Sequence, residues 1–103
     1  MSSLTPRTRL ERDSMGELAV PADALYGAQT QRAVDNFHIS GQRMPVGFVR
    51  AVLLVKAAAA RANITLGALA PETGRAIGDA IAQLLAASDD ERMQHFPVEV
   101  FQT

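Results

Sequence analysis

Pro45-Val46-Gly47-Phe48-Val49-Arg50-Ala51-Val52-Leu53-Leu54-Val55-Lys56-Ala57-Ala58-Ala59-Ala60-Arg61-Ala62-Asn63 is the stretch whose reading decides the fold. Pro45 suits a helix start, where its missing N–H costs nothing. Val49, Val52, Leu53, Lys56, Ala57, Ala60 and Ile64 then recur at three-and-four spacing, which predicts a helix over residues 45–63. Phe48, Leu54, Val55, Ala58 and Ala59 fill the other faces, so this helix is apolar nearly all round. A short chain can hardly cover such a helix, and part of it is expected to meet another domain or subunit. The Ala57-Ala58-Ala59-Ala60 run reads as a high-propensity helix interior with small contact surfaces. Arg50 and Lys56 interrupt the apolar run, which falls short of the roughly 18 apolar residues that mark a membrane span.

Outward toward the C-terminus, Gly67 closes this segment, and Pro71 followed by Glu72 opens a second helix expected over residues 71–87. Ile77, Ile81, Leu84 and Leu85 give it an apolar face. Glu72, Arg75, Asp79 and Gln83 give it a polar stripe in which ion pairs are expected. Ser88-Asp89-Asp90-Glu91-Arg92 reads as a solvated turn or helix start, and Val98-Glu99-Val100-Phe101 as an extended connector. Toward the N-terminus, Asp23 is expected to cap a helix that begins near Ala24 and runs to Phe37, with an irregular stretch at Gly27. Residues 9–13 and 17–20 flank Gly16, which suits a turn and predicts a small hairpin ended by Pro21. Residues 1–8 read as a flexible tail. The expected fold class is mainly α, with a short β-hairpin or irregular segment before the helices.

The bulk numbers narrow the function classes. With 103 residues the chain makes one small domain, and 48% hydrophobic against 20% charged residues places it among globular proteins. Ten Lys and Arg against eleven Asp and Glu leave a net charge of −1, so no long-range field gathers a polyanion and nucleic acid is not an expected partner. No Cys is present, which excludes disulfides and thiolate metal sites and suits a reducing compartment. No apolar run follows Met1 as a secretory signal would require, so the expected location is the cytoplasm.

Chemistry-bearing motifs are sparse. There is no Gly-rich phosphate loop and no His-Glu-x-x-His element. His38 and His95 read as surface or capping residues, and Asp89, Asp90 and Glu91 lack the further oxygen ligands that a divalent cation needs. The informative block is Leu25-Tyr26-Gly27-Ala28-Gln29-Thr30-Gln31-Arg32-Ala33, continued by Asp35-Asn36-Phe37-His38-Ile39-Ser40. Gln29, Thr30, Gln31, Arg32 and Asn36 supply amide, hydroxyl and guanidinium donors able to hold a dicarboxylate without a metal. The same residues fit a purely structural role, with Arg32 paired to Asp35 or Glu17 and Thr30 bonded to the helix backbone. Spacing alone leaves both readings open.

Three blocks in order carry a family resemblance. They are Arg12-x3-Gly16 with Val20-Pro21-Ala22-Asp23, then Tyr26-Gly27-Ala28-Gln29-Thr30-Gln31-Arg32-Ala33 with Asn36-Phe37-x-Ile39-Ser40, and finally Phe96-Pro97-Val98-x-Val100-Phe101-Gln102-Thr103. From about Arg9 to Thr103 the chain resembles the amino-terminal domain of class II fumarases, in the fumarase/aspartase superfamily. Gly27-Ala28-Gln29-Thr30-Gln31 and Phe101-Gln102-Thr103 favour the fumarase branch over the aspartate ammonia-lyases, which tend to carry Val-His-Thr-Leu and Tyr-Gln-Gly at those places. One departure is Gln94-His95, where the family usually has an acidic residue first.

The resemblance implies a domain over residues 9–103 that stops before a Gly-Ser-Gly-Thr substrate-binding segment. It further implies a parent enzyme that reversibly hydrates fumarate to (S)-malate with no cofactor or metal, and that works as a homotetramer. It places Thr30 and Arg32 near the substrate carboxylate, neither of them an acid or base. No catalytic residue is expected within the chain, which should therefore be inactive alone. The alternatives are an aspartate ammonia-lyase or related lyase, and a standalone helical interaction module.

Overall fold

The computed structural model describes residues 7–101. Most of the expected tail, residues 1–6, lies outside the described residues, but Thr8 is already paired in a strand. The chain forms two compact units, one from residues before 45 and after 93, the other from residues 45–93. Each has its own logic.

The first unit begins with an antiparallel hairpin of β1 (Thr8–Asp13) and β2 (Gly16–Pro21), in register from Thr8↔Pro21 to Asp13↔Gly16. Asp13 Oδ1 accepts the Met15 N–H at 2.9 Å and Gly16 closes the turn at φ +117°. The strand period sends Arg9, Glu11 and Asp13 to the sheltered side and leaves Leu10 70% exposed, the reverse of the usual alternation. On β2 the sheltered side carries Leu18 and the fully buried Val20.

Arg9 explains why the next helix starts late. Its guanidinium donates to the carbonyls of Pro21 (3.0 Å), Ala22 (2.9 Å), Ala24 (2.8 Å) and Tyr26 (2.8 Å), while its Nε–H donates to Glu11 at 2.7 Å. Carbonyls gathered on one side chain cannot also point along a helix axis toward amides four residues on. The helix expected from Ala24 accordingly begins as α1 at Ala28–Asn36, with Gly27 in the cap position and Asp23 capping nothing. Beyond α1 the chain turns, and the expected extended connector forms an isolated bridge, Arg43↔Glu99, beside a Val100 N–H to Gln42 carbonyl bond of 2.8 Å.

The second unit is a helical hairpin, α2 (Val46–Thr65) and α3 (Pro71–Ala86), followed by the short α4 (Asp89–Met93). Both long helices lie where the punctuation put them. The stop at Gly67 (φ +76°) is a Schellman motif: the Ala68 N–H bonds the Asn63 carbonyl at 2.9 Å and the Gly67 N–H bonds that of Ile64 at 3.0 Å. The hairpin closes on Gly74, which is buried, and a Cβ there would run into the Ile64 side chain.

Arg92, 2% exposed, finishes α3 by donating to the carbonyls of Leu84 (2.8 Å), Leu85 (3.2 Å) and Ala87 (2.6 Å) and to Asp89 (2.7 Å). A buried charge is tolerated there because the orphan carbonyls of a helix end surround it. The ion pairs expected along α3 do not form among the described residues: Glu72, Arg75 and Asp79 stay solvated, and the Arg-before-Asp order is the weaker orientation on a helix. The expected apolar surplus on α2 is plain, with Phe48 54%, Leu54 52% and Val55 67% exposed. No helix among the described residues is long and apolar enough to cross a membrane.

Candidate functional site

The donor-rich block forms the body of α1, held in the first unit against the hairpin. Arg32 projects to β1, where its Nε–H donates to Asp13 Oδ2 at 2.8 Å and its Nη2 to Asp13 Oδ1 at 3.0 Å and to the Gly16 carbonyl at 3.2 Å. The partner is thus neither Asp35 nor Glu17. Asp35 is taken by Gln31 Nε2 at 2.9 Å and Glu17 by Arg12 at 2.8 Å, so both carboxylates are engaged elsewhere.

The two-bond fork has an electrostatic consequence. The bond from Arg32 is the main cause that holds the Asp13 carboxyl below its ordinary value, assisted by the Met15 amide and opposed by burial. Reciprocally, the bond to Asp13 raises Arg32. Asp13 keeps 13% and Arg32 30% side-chain exposure, and the Nη1 edge of Arg32 makes no hydrogen bond among the described residues. A carboxylate meeting Arg32 while Asp13 stays in place would therefore meet one nitrogen rather than the paired edge.

Thr30 is half-buried, and its hydroxyl takes no partner among the described residues, so the expected bond to the helix backbone is not made. Gln31 turns its amide nitrogen to Asp35 and leaves Oε1 buried and unpaired. Reversing the amide would set oxygen against the Asp35 carboxylate, so the orientation is fixed by its one bond. Gln29 is exposed.

A second cluster is built by a residue that the sequence reading passed over as part of a connector. Glu99, 5% exposed, accepts from three successive backbone amides: Ile39 (3.0 and 2.9 Å), Ser40 (3.0 and 3.1 Å) and Gly41 (3.2 Å). Burial pushes its carboxyl up, but the bonds from Ser40, Ile39 and Gly41, with the charge of His38, outweigh burial and hold it below its ordinary value. Gly41 sits at φ +71°, the left-handed conformation that lets successive N–H groups converge into an anion-binding nest. Four residues earlier, His95 is half-buried and its Nδ1 accepts the Leu25 N–H at 3.1 Å, so it ties down the loop before α1 rather than capping a helix or standing free on the surface.

Asp13 and Glu99 both escaped the reading of the sequence, although each left a trace. Arg9, Glu11 and Asp13 alternate with Leu10 and Arg12 at strand period, and Glu99 stands between Val98 and Val100. In neither place does the pattern say which side is sheltered. Among the described residues no group of three or more His, Cys, Asp or Glu is placed to hold a metal ion, and Asp89 of the acidic trio is paired with Arg92.

A family model described as Lyase matches residues 16–103. The class II fumarate hydratase 2 of Pseudomonas aeruginosa is 69% identical over 96 residues, covering 93% of this chain and 20% of that protein. The class II fumarate hydratase of Thermus aquaticus is 50% identical over 97 residues, covering 92% of this chain and 20% of that protein. Among solved structures, a class II fumarase from Schistosoma mansoni superposes with a TM-score of 0.81 at 32% identity, covering 94% of this chain and 20% of that one. A fumarate lyase:delta crystallin from Brucella melitensis gives 0.79 at 42% identity, covering 93% and 21%. The chain spans about a fifth of the length of the curated relatives it matches.

Proposed function

This chain belongs to the lyase family whose model covers residues 16–103, and we propose that the whole protein carrying it is a class II fumarate hydratase that reversibly adds water to fumarate to give (S)-malate. The observation that carries this reading is the 69% identity to a class II fumarate hydratase across nearly the whole chain. In this reading residues 9–103 are the amino-terminal domain, the segment that follows supplies substrate-binding hydroxyls, and the groups that move protons come from elsewhere in the protein. The reaction needs neither a cofactor nor a metal.

Malate dehydration requires removal of a proton beside a carboxylate, which leaves charge that fixed donors must hold. We assign Arg32 and Thr30 to that task. Arg32 is anchored through Nε and Nη2, with Nη1 directed to one carboxylate oxygen, and Thr30 offers an unpartnered hydroxyl. Neither transfers a proton, because the guanidinium stays charged and no base adjoins the hydroxyl. The apolar outer surface of α2 suits burial against other domains or subunits of a homotetramer. The same reading places the protein in the cytoplasm.

The experiment is to offer the purified full-length protein malate and aspartate separately. Fumarate is expected from malate, with no ammonia released from aspartate. Fumarate and ammonia from aspartate, with malate untouched, would instead assign the aspartate branch.

A further inference from the structure

We propose that Glu99 is a positioning residue for the reaction: its carboxylate pins the 98–101 segment to the 39–41 turn and so fixes two of the chain's motif blocks in one arrangement. The proposal rests on the reading of the whole protein as a fumarate hydratase.

Three observations lead to it. The first is chemical: a side chain flanked by Val98 and Val100 is almost wholly buried yet charged, and both its oxygens are spent on amides between 2.9 and 3.2 Å away. Charge-assisted bonds of this kind are short and directional, and successive amides cannot be satisfied by a freely rotating group. The second is topological: the amides belong to residues 39–41, directly after the α1 block, while Glu99 lies about 60 residues on, so this carboxylate reinforces the isolated Arg43↔Glu99 bridge between segments far apart in the chain. The third is that the same return segment is tied again by His95 to Leu25 at 3.1 Å and by Val100 to Gln42 at 2.8 Å. Glu99 is the charged member of this set.

Positioning of this sort is worth much in catalysis, since displacement of a site segment by an ångström can cost up to about a hundredfold in rate. It also differs from packing in what would replace it. Glutamine keeps the size of Glu99 but turns one acceptor oxygen into an NH2 facing amide donors. Alanine empties the nest and leaves room for a small free carboxylate.

The test uses the full-length protein with E99Q and E99A, assayed for malate dehydration with and without millimolar formate, and with assembly followed by light scattering. Both variants are expected to assemble and to lose roughly tenfold or more in kcat/KM. Formate is expected to restore E99A in a saturable manner while leaving the parent and E99Q unchanged. An E99Q protein within about twofold of the parent would overturn the proposal, as would a folded E99A whose loss formate does not repair. Failure of both variants to fold would reduce Glu99 to a structural residue and equally overturn it. A parent inactive on malate strikes the functional reading itself, whereas an active parent with equally active variants strikes only the role of Glu99.

Discussion

Two carboxylates, Asp13 and Glu99, do at residue scale what the hydrophobic pattern could not announce. Both are held below their ordinary values, 3.8 for Asp13 chiefly by the Arg32 bond and 4.5 for Glu99 by three amides that overcome burial. The sign follows from linkage. Above the ordinary value the carboxylate is ionised in the folded and unfolded chain alike, and the full stabilisation is present. As pH falls below it the unfolded chain takes up the proton first, and the contribution drains away until the folded carboxylate is also protonated. The gap in urea midpoint between the parent and E99Q should therefore be constant above pH 4.5 and shrink steadily below it. A gap that stays the same from about pH 6 to pH 3 would contradict the assignment.

Arg32 carries a second residue-scale prediction. Lys cannot reproduce the fork to Asp13, so Arg32→Lys should lower the melting temperature, and Asp13→Asn combined with it should lower it less than the two separate losses add up to. If Nη1 also holds the substrate, Arg32→Lys in the full-length protein should cost about tenfold or more in kcat/KM, a loss of transition-state binding rather than of assembly. Steady-state kinetics with assembly checked by light scattering separates the two, and an assembly like the parent's with unchanged efficiency would leave Arg32 a structural residue.

At the scale of elements, the hairpin of α2 and α3 depends on one close approach. Gly74→Ala places a methyl group against the Ile64 side chain, and over-packing of this kind costs about 1–3 kcal/mol, more than the ~1 kcal/mol that Ala gains over Gly in a helix. Gly78, one turn further along α3, has open space around the same position, so Gly78→Ala should stabilise by about 0.5–1 kcal/mol. Opposite signs in chemical denaturation are the expected result, and stabilisation by both would show that Ile64 yields freely. Element scale is also where sequence reading succeeded and failed most clearly. Pro45, Gly67 and Pro71 marked α2 and α3 to within two residues at each end, because Pro and Gly act through the local backbone. The start of α1 was misread because Arg9, nearly twenty residues upstream, takes the carbonyls of the loop, and no local signal carries that information.

Whole-molecule behaviour follows from a mismatch between the apolar surface that the chain makes and the surface that it covers. Phe48, Leu54 and Val55 stand out from α2 just as the all-round apolar run of residues 46–60 led one to expect. The donor block was legible only as residue types, since Thr30 and Arg32 carry a hydroxyl and a guanidinium whatever surrounds them. Their surroundings were not, because Asp13 and Glu99 reach them or their neighbours only through the tertiary fold. At 103 residues the chain spans a fifth of its relatives' length, and in the proposed reading the groups that move protons lie elsewhere in the protein, so alone it should be inert toward fumarate and malate. The most direct measurement is proton NMR of fumarate incubated in D2O with the full-length protein and, in parallel, with the 103-residue chain. The full-length protein is expected to convert fumarate to a single singly deuterated diastereomer of (S)-malate, while the chain alone matches buffer. Fumarate left unchanged by the full-length protein, or consumed only when ammonia is supplied and then to aspartate, would contradict it.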